Sequence, residues 1–197
     1  MNLLEEKIKK IDVFLASKSP RRHELLKNII PQFSIVKKDI KEEYPKNLPT
    51  VEIAKYLAEL KAKAFINNST SNNLYITADT IVVFQNKVLG KPSDKKEAFD
   101  MLNTLSGETH VVYTGVTLLF NKKLISFQDA TKVTFYPLKK EEINYYINHH
   151  QPFDKAGSYG IQEWMGYVGI KKMEGDFFNV MGLPLHKTYR EIDRLLT

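Results

Sequence analysis

The sequence predicts an α/β fold, and three stretches carry that prediction. Residues 13–16 (VFLA) are a short apolar run of strand type that gives way at Ser19-Pro20 to a helix start, with a hydroxyl at the N-cap and proline at the first helical position. Residues 74–84 (LYITADTIVVF) are almost continuously apolar, the pattern of a central strand covered on both faces, and they follow a long amphipathic helix. Residues 109–120, 123–127 and 130–136 are three strand-like runs joined by turns such as Asn121-Lys122-Lys123, an antiparallel meander that leads into another helix. The 197 residues suit one large domain or two small lobes, and 43% hydrophobic with 26% charged residues is ordinary globular composition, enough to bury a core.

Composition also excludes. No apolar run approaches the roughly 18 residues of a membrane helix, and the start, MNLLEEKIKKIDVF, carries two glutamates and no small-residue cleavage site. Neither a membrane span nor a signal peptide is expected. The chain has no cysteine, which removes thiol nucleophiles, disulfides and thiolate metal sites and fits a cytoplasmic location. Any metal has to be held by oxygen or histidine. A formal charge of +6 suits a polyanionic partner, nucleic acid or nucleotide, and equally serves solubility.

In chain order, residues 1–12 read as a loose leader or a first helical turn, with Leu3, Leu4, Ile8 and Ile11 at helical spacing. The helix opened at Ser19 runs to Asn28, residues 33–36 (FSIV) are a second strand, and residues 37–46 form a charged loop with Asp39, Glu42 and Glu43. Thr50 is an N-cap for a long amphipathic helix whose spacing is carried by Val51, Ala54, Leu57, Ala58, Lys61, Ala62 and Phe65. Its Lys61 and Lys63 fall near the C-terminal half, where cations are welcome. After the central strand come a turn at 85–87, a short returning strand at Val88-Leu89 and the bend Gly90-Lys91-Pro92. That Gly-Lys is no P-loop, because the upstream glycine spacing and the following hydroxyl residue are missing. Residues 94–105 form a helix with Ala98, Met101, Leu102 and Leu105 inward, ended by Ser106-Gly107. Residues 139–150 form another, with Ile143, Tyr146 and Ile147 on one face and His149-His150 better read as dipole-friendly terminal residues than as metal ligands. From Gln151 glycines and aromatics dominate, regular periods fade, and only residues 185–196 read as a terminal helix.

Two features ask for chemistry. Arg21 and Arg22 occupy the first turn of a helix whose N–H groups and macrodipole already present positive potential. That makes sense if an anion binds there through the N–H groups, the Ser17 and Ser19 hydroxyls and two guanidinium forks; a solvated helix start with its arginines turned away is the plain alternative. Asp79 interrupts the apolar strand, where a carboxylate is costly unless paired, hydrogen-bonded or bound to a cation, or unless it forms an Asx-type turn at a strand break.

The stretches LASKSPRRHELL (15–26), LAELKAKA (57–64), ADTIV (78–82), GKP (90–92), LSGETHVVYTGV (105–116), DKAGSYGIQ (154–162) and GDFFNVMGLPL (175–185) together resemble the Maf family of nucleoside triphosphate pyrophosphatases. The Arg-Arg pair, the Ala-Asp-Thr triplet and Tyr-Gly-Ile-Gln resemble the branch that hydrolyses dTTP and UTP, not the branch acting on methylated GTP. The resemblance implies a single domain over residues 1–197 in two lobes, an extended mixed sheet flanked by helices as in inosine triphosphate pyrophosphatases, and a nucleotide cleft between the lobes. It also implies release of pyrophosphate from dTTP, UTP and modified pyrimidine triphosphates, a divalent cation (Mg²⁺ or Mn²⁺), a homodimer, house-cleaning of nucleotide pools and a link to cell-division arrest. Carried over by position, Asp79 is the general base and, with Glu42, the metal ligand. Lys61 and Lys91 complete the phosphate site, and Arg21, Thr80 and Gln162 choose the substrate. Lys41 stands where many relatives carry a second acidic residue, and Glu163-Trp164 replaces a glycine-rich continuation.

The residues agree with this chemically. A nucleoside triphosphate brings about four negative charges, which Arg21, Arg22, Lys61, Lys91 and a helix N-terminus can meet. Asp79 and Glu42 can hold a divalent cation while Asp79 deprotonates a water for in-line attack at the α-phosphorus. Two other classes compete: a basic nucleic-acid-binding module stacking on Tyr145, Tyr146, Tyr159, Trp164 and Tyr167, and a non-enzymatic regulator of septum formation. Scattered lysines and the purposeless buried Asp79 weigh against the first. Neither a specific nucleic acid nor a membrane is an expected partner.

Overall fold

In the computed structural model, which describes residues 3–197, the strands are β1 (Asp12–Leu15), β2 (Ser34–Ile35), β3 (Asn73–Phe84), β4 (Lys87–Leu89), β5 (Thr109–Phe120), β6 (Lys123–Phe135) and β7 (Ile170–Glu174). They form one seven-stranded sheet in the order β2-β1-β3-β5-β6-β7, with β4 paired to β3. β1 runs parallel to β2 and to β3, placing Leu15 opposite Ile35 and Ile76, whereas β4 on β3 and β7 on β6 are antiparallel. The helices are α1 (Leu3–Ile8), α2 (Pro20–Lys27), α3 (Thr50–Lys63), α4 (Lys95–Leu105), α5 (Lys140–His150), α6 (Trp164–Gly169), α7 (Phe177–Met181) and α8 (Leu185–Leu195). The parallel pairs need crossovers, which α2 and α3 provide. This is the mixed, helix-flanked α/β sheet expected. Among the described residues no helix is long and apolar enough to cross a membrane.

The chain divides into two compact units, one of the residues up to Asp79 with Thr114–Asp129 and Gly182–Thr197, the other of Thr80–Tyr113 with Ala130–Met181. In the first, α3 approaches the sheet closely because Ala54, Ala58 and Ala62, four apart on one stripe, are small and fully buried. Gly115 of β5 lies under it: a Cβ there would stand 2.4 Å from the Ala54 and Lys55 backbone. Thr77 of β3, with no exposure, donates its hydroxyl to the Ala58 carbonyl at 2.6 Å, so the close approach leaves no polar group stranded. Phe14, Tyr75 and Phe65 stack in turn, with ring centroids 4.8 and 5.1 Å apart, beside Ala62 and Leu119. α8 buries Leu185, Thr188 and Ile192 and is tied to α1 by the Lys7–Asp193 ion pair at 2.6 Å.

The second unit has its own core. Ala98, Leu102 and Leu105 of α4 join Ile143, Tyr146 and Ile147 of α5, with Phe135, Tyr159, Ile161 and Met165 completing it. The inward residues of α4 and α5 are those the helical spacing predicts, Met101 included.

Elsewhere the structure departs from the sequence reading. Residues 123–135 are one strand, not two runs. Gln128-Asp129 reads as a break because Asp is disfavoured in strands, but Lys187 of α8 pairs with Asp129 at 2.7 Å and donates to the Gln128 carbonyl at 3.2 Å, so the strand continues. β5 and β6 are the arms of a hairpin whose turn residues Asn121 and Lys122 have φ of 47° and 59°, the positive pair that a two-residue type I′ turn requires. Thr50 is the first residue of α3, and Pro49 occupies the N-cap. Beyond Gln151 the chain is more regular than its composition suggests, because β7 is an edge strand whose Lys171, Lys172 and Glu174 face solvent and hide the strand pattern. Of residues 1–12, Met1 and Asn2 lie outside the described residues, Leu3–Ile8 form α1, a turn follows and Asp12 opens β1. The exposed aromatic surface also needs correcting: Tyr146 and Tyr159 are 0% and 5% exposed, drawn into the core of the second unit, and cannot stack on nucleic acid.

Candidate active site

Leu15 pairs with Ile76 in the last parallel register of β1 and β3, so Ser17, beyond the end of β1, and Asp79, further along β3, both lie just past the C-terminal end of the parallel pairing, the side on which open α/β sheets bind ligands. Ser17 is buried. Its hydroxyl accepts the Ser19 N–H at 3.1 Å, and its carbonyl contacts His23 Nε2 at 2.8 Å, which folds the strand-to-helix turn. Ser19 stands at the N-cap of α2, but its side chain takes no part in capping, and Pro20 holds the first helical position. Arg22 is half-buried and donates Nε–H to the Gly182 carbonyl at 2.8 Å. Of the two guanidinium forks the sequence offers to an anion, this one is therefore partly engaged already. Burial pushes the Arg22 pKa down, the Asp79 charge opposes that, Arg21 adds to it and Glu42 opposes it again; a guanidinium stays charged throughout.

Asp79 is 8% exposed within an unbroken β3, which excludes the Asx-turn reading. Its burial is compensated by Lys61 of α3, whose Nζ donates to Asp79 Oδ1 at 2.5 Å and stands 3.2 Å from Glu42 Oε1. The Lys61 and Asp79 side chains are 16% and 12% exposed, that of Glu42 52%. One ammonium thus gathers a buried carboxylate from a strand and a loop carboxylate. Lys41 points elsewhere, pairing with Glu43 in solvent at 2.7 Å.

Ser17, Ser19, Arg21, Arg22, Glu42, Lys61 and Asp79 all belong to the first unit, and Thr80, Lys91 and Gln162 to the second. Thr80 and Gln162 are half-buried and Lys91 is exposed. Gln162 Oε1 is buried without a hydrogen-bond partner in the protein, a state that costs about 1–3 kcal/mol. Among the described residues, no group of three or more His, Asp or Glu could hold a metal ion.

A network beside Gln162 escapes the sequence reading. Lys155 is buried between Asp154 at 2.7 Å and Glu163 Oε1 at 3.0 Å. Glu163 Oε2 accepts the Tyr146 hydroxyl at 2.5 Å, and the same Tyr146 oxygen accepts the Gly160 N–H at 2.9 Å. Burial first, and then the bond to Glu163, raises the Tyr146 pKa, so it remains a donor. The one available signal is Glu163 itself, which departs from the pattern that the resemblance implies. Nearby, His110 is 1% exposed, bonded through Nε2 to the Tyr159 hydroxyl at 2.7 Å, and burial pushes its pKa down to about 4.

A family model described as Maf-like protein matches residues 12–195. The dTTP/UTP pyrophosphatase of Flavobacterium johnsoniae is 47% identical over 194 residues, covering 98% of this chain and 100% of that protein. The protein of the same name from Cytophaga hutchinsonii is 50% identical over 184 residues, covering 93% and 84%. That from Porphyromonas gingivalis is 46% identical over 190 residues, covering 95% and 96%. Among solved structures, a HAM1 protein from Coxiella burnetii superposes with a TM-score of 0.48 at 13% identity, covering 93% of this chain and 99% of that one. On the family match, which spans nearly every residue, and on relatives close to half identical from end to end, this chain belongs to the Maf family.

Proposed function

We propose that this chain is a nucleoside triphosphate pyrophosphatase that converts dTTP and UTP to the monophosphate and pyrophosphate. The observation that carries the proposal is Asp79, a carboxylate kept in a buried strand just past the end of the parallel pairing, with Lys61 upon it and Glu42 upon Lys61. The relatives named dTTP/UTP pyrophosphatase suggest the substrate. In this reading the N-terminus of α2, Arg21, Arg22 and Lys61 neutralise the triphosphate, Ser17 and Ser19 offer hydroxyls to it, and Lys91 adds a further cation. Phosphate oxygens compete with Asp79 for Lys61, which releases the carboxylate to take a proton from water. That water attacks the α-phosphorus in line, the bond to the bridging oxygen breaks and pyrophosphate leaves. Asp79 and Glu42 fit Mg²⁺ or Mn²⁺, offering hard oxygen donors that converge on one cation, and the bound metal would draw charge from the phosphate. A cytoplasmic homodimer is part of the same proposal.

Gln162 is assigned the base, with Thr80 and Arg21 in support. Uracil and thymine present O4 as acceptor and N3–H as donor, and one carboxamide answers both. The unpartnered Gln162 Oε1 is the acceptor that N3–H would meet. Cytosine presents the reverse pattern. The test is incubation with UTP, dTTP, CTP, ATP and GTP in Mg²⁺ and separation of the products. Pyrophosphate with UMP and dTMP is expected; orthophosphate, or a preference for purine triphosphates, would overturn the proposal.

A further inference from the structure

We infer that Tyr146, Lys155 and Glu163 form a positioning device that fixes the Gln162 peptide, from which the carboxamide projects, and so sets base selectivity; the inference rests on Gln162 reading the base. A free glutamine can flip its amide and accept cytosine as readily as uracil, so selectivity needs the side chain and its backbone held. The geometry supplies the backbone part of that hold. Gly160 N–H and Glu163 are joined through the Tyr146 hydroxyl at 2.9 and 2.5 Å, and Tyr146 is a fully buried residue of α5, packed in the core of the unit. Glu163 N–H bonds the Gly160 carbonyl at 3.1 Å, and the Gln162 carbonyl accepts the Tyr167 hydroxyl at 2.6 Å, so the peptide is tied on both sides of Gln162.

Both carboxylate oxygens of Glu163 are engaged, one by Tyr146 and the other by Lys155. Lys155 is 8% exposed and is shared between Asp154 at 2.7 Å and Glu163 at 3.0 Å, so Glu163 is held by the ammonium on one oxygen and by the Tyr146 hydroxyl on the other. The arrangement also explains Gly160: a Cβ there would stand 2.7 Å from Glu163 Cδ. The three residues have no part in the triphosphate chemistry assigned above, so their removal should alter base choice and not the attack on phosphorus.

The test uses the full chain with Tyr146→Phe and Glu163→Gln, and steady-state kinetics on UTP, dTTP and CTP. Tyr146→Phe keeps the ring and removes only the bridging hydroxyl. The UTP-to-CTP ratio of kcat/KM should fall about tenfold, the scale of one lost hydrogen bond, through a raised KM for UTP while kcat stays within about twofold. An equal fall for all three substrates, or an unchanged ratio, would overturn the inference, and if Glu163→Gln fails to fold then Tyr146→Phe decides alone. Gln162→Glu is measured beside them. If it leaves the ratio unchanged, base reading by Gln162 fails and takes the inference with it. If it shifts the ratio and the other two variants do not, only the positioning device is refuted.

Discussion

Replacing Asp79 by asparagine keeps the outline of the side chain and removes its charge. Lys61 then loses the nearer of its two carboxylates, at 2.5 Å, and keeps Glu42 at 3.2 Å. Deleting one partner of a buried pair costs about 3–5 kcal/mol when the other is left alone. Here Glu42 remains and the asparagine oxygen can still accept from Lys61, so a stability loss of about 1–2 kcal/mol is expected. Turnover should suffer far more, falling by about 10²–10⁴-fold if the carboxylate is the general base. Pyrophosphate release from saturating UTP measures the rate, and urea unfolding of the same preparation measures the stability. Glu42→Gln serves as the comparison, because its half-exposed ion pair is worth no more than about 1 kcal/mol. A folded Asp79→Asn protein with near-normal turnover, beside an inactive Glu42→Gln, would move the base to Glu42 and refute the assignment.

Other consequences are as direct. Gly115→Ala would press a methyl group against the Ala54 and Lys55 backbone and should destabilise by about 1–3 kcal/mol or more, read from urea midpoints; an unchanged midpoint would mean that α3 shifts freely. His110 titrates near 6.5 when unfolded and at about 4 in the fold, so the unfolded chain binds a proton that the folded one refuses between those values. Stability should be flat above neutral pH and fall by roughly 3 kcal/mol as pH drops through that window, a slope that His110→Gln should reduce. Excess chelator should abolish pyrophosphate release and added Mg²⁺ or Mn²⁺ restore it; full turnover in chelator would exclude a metal role for Asp79 and Glu42.

Much of this was legible before any coordinates. Periodicity is strongest where one face is buried, which is why the inward residues of α4 and α5 and the continuous burial of β3 follow from spacing alone. It fails where a distant partner compensates a local preference. Asp129 looks like a strand breaker until Lys187, 58 positions later, pairs with it. The charged edge strand β7 carries no apolar run to detect. The oddity of Asp79 is visible as a carboxylate in an apolar strand, but only the fold shows it and Glu42 converging on Lys61. Tyr146 and Tyr159 illustrate the reverse error, because an aromatic count cannot say which rings are core. Glu163 was visible as an unexpected residue and not as a hub, since Tyr146 and Lys155 reach it from other elements.

The most direct test of the central claim is hydrolysis of UTP in ¹⁸O-labelled water, with mass spectrometry of both products. Attack of water on the α-phosphorus puts the label in UMP and leaves pyrophosphate unlabelled. Label in pyrophosphate would place the attack on the β-phosphorus and contradict the assignment of Asp79 as the base that delivers water to the α-phosphorus.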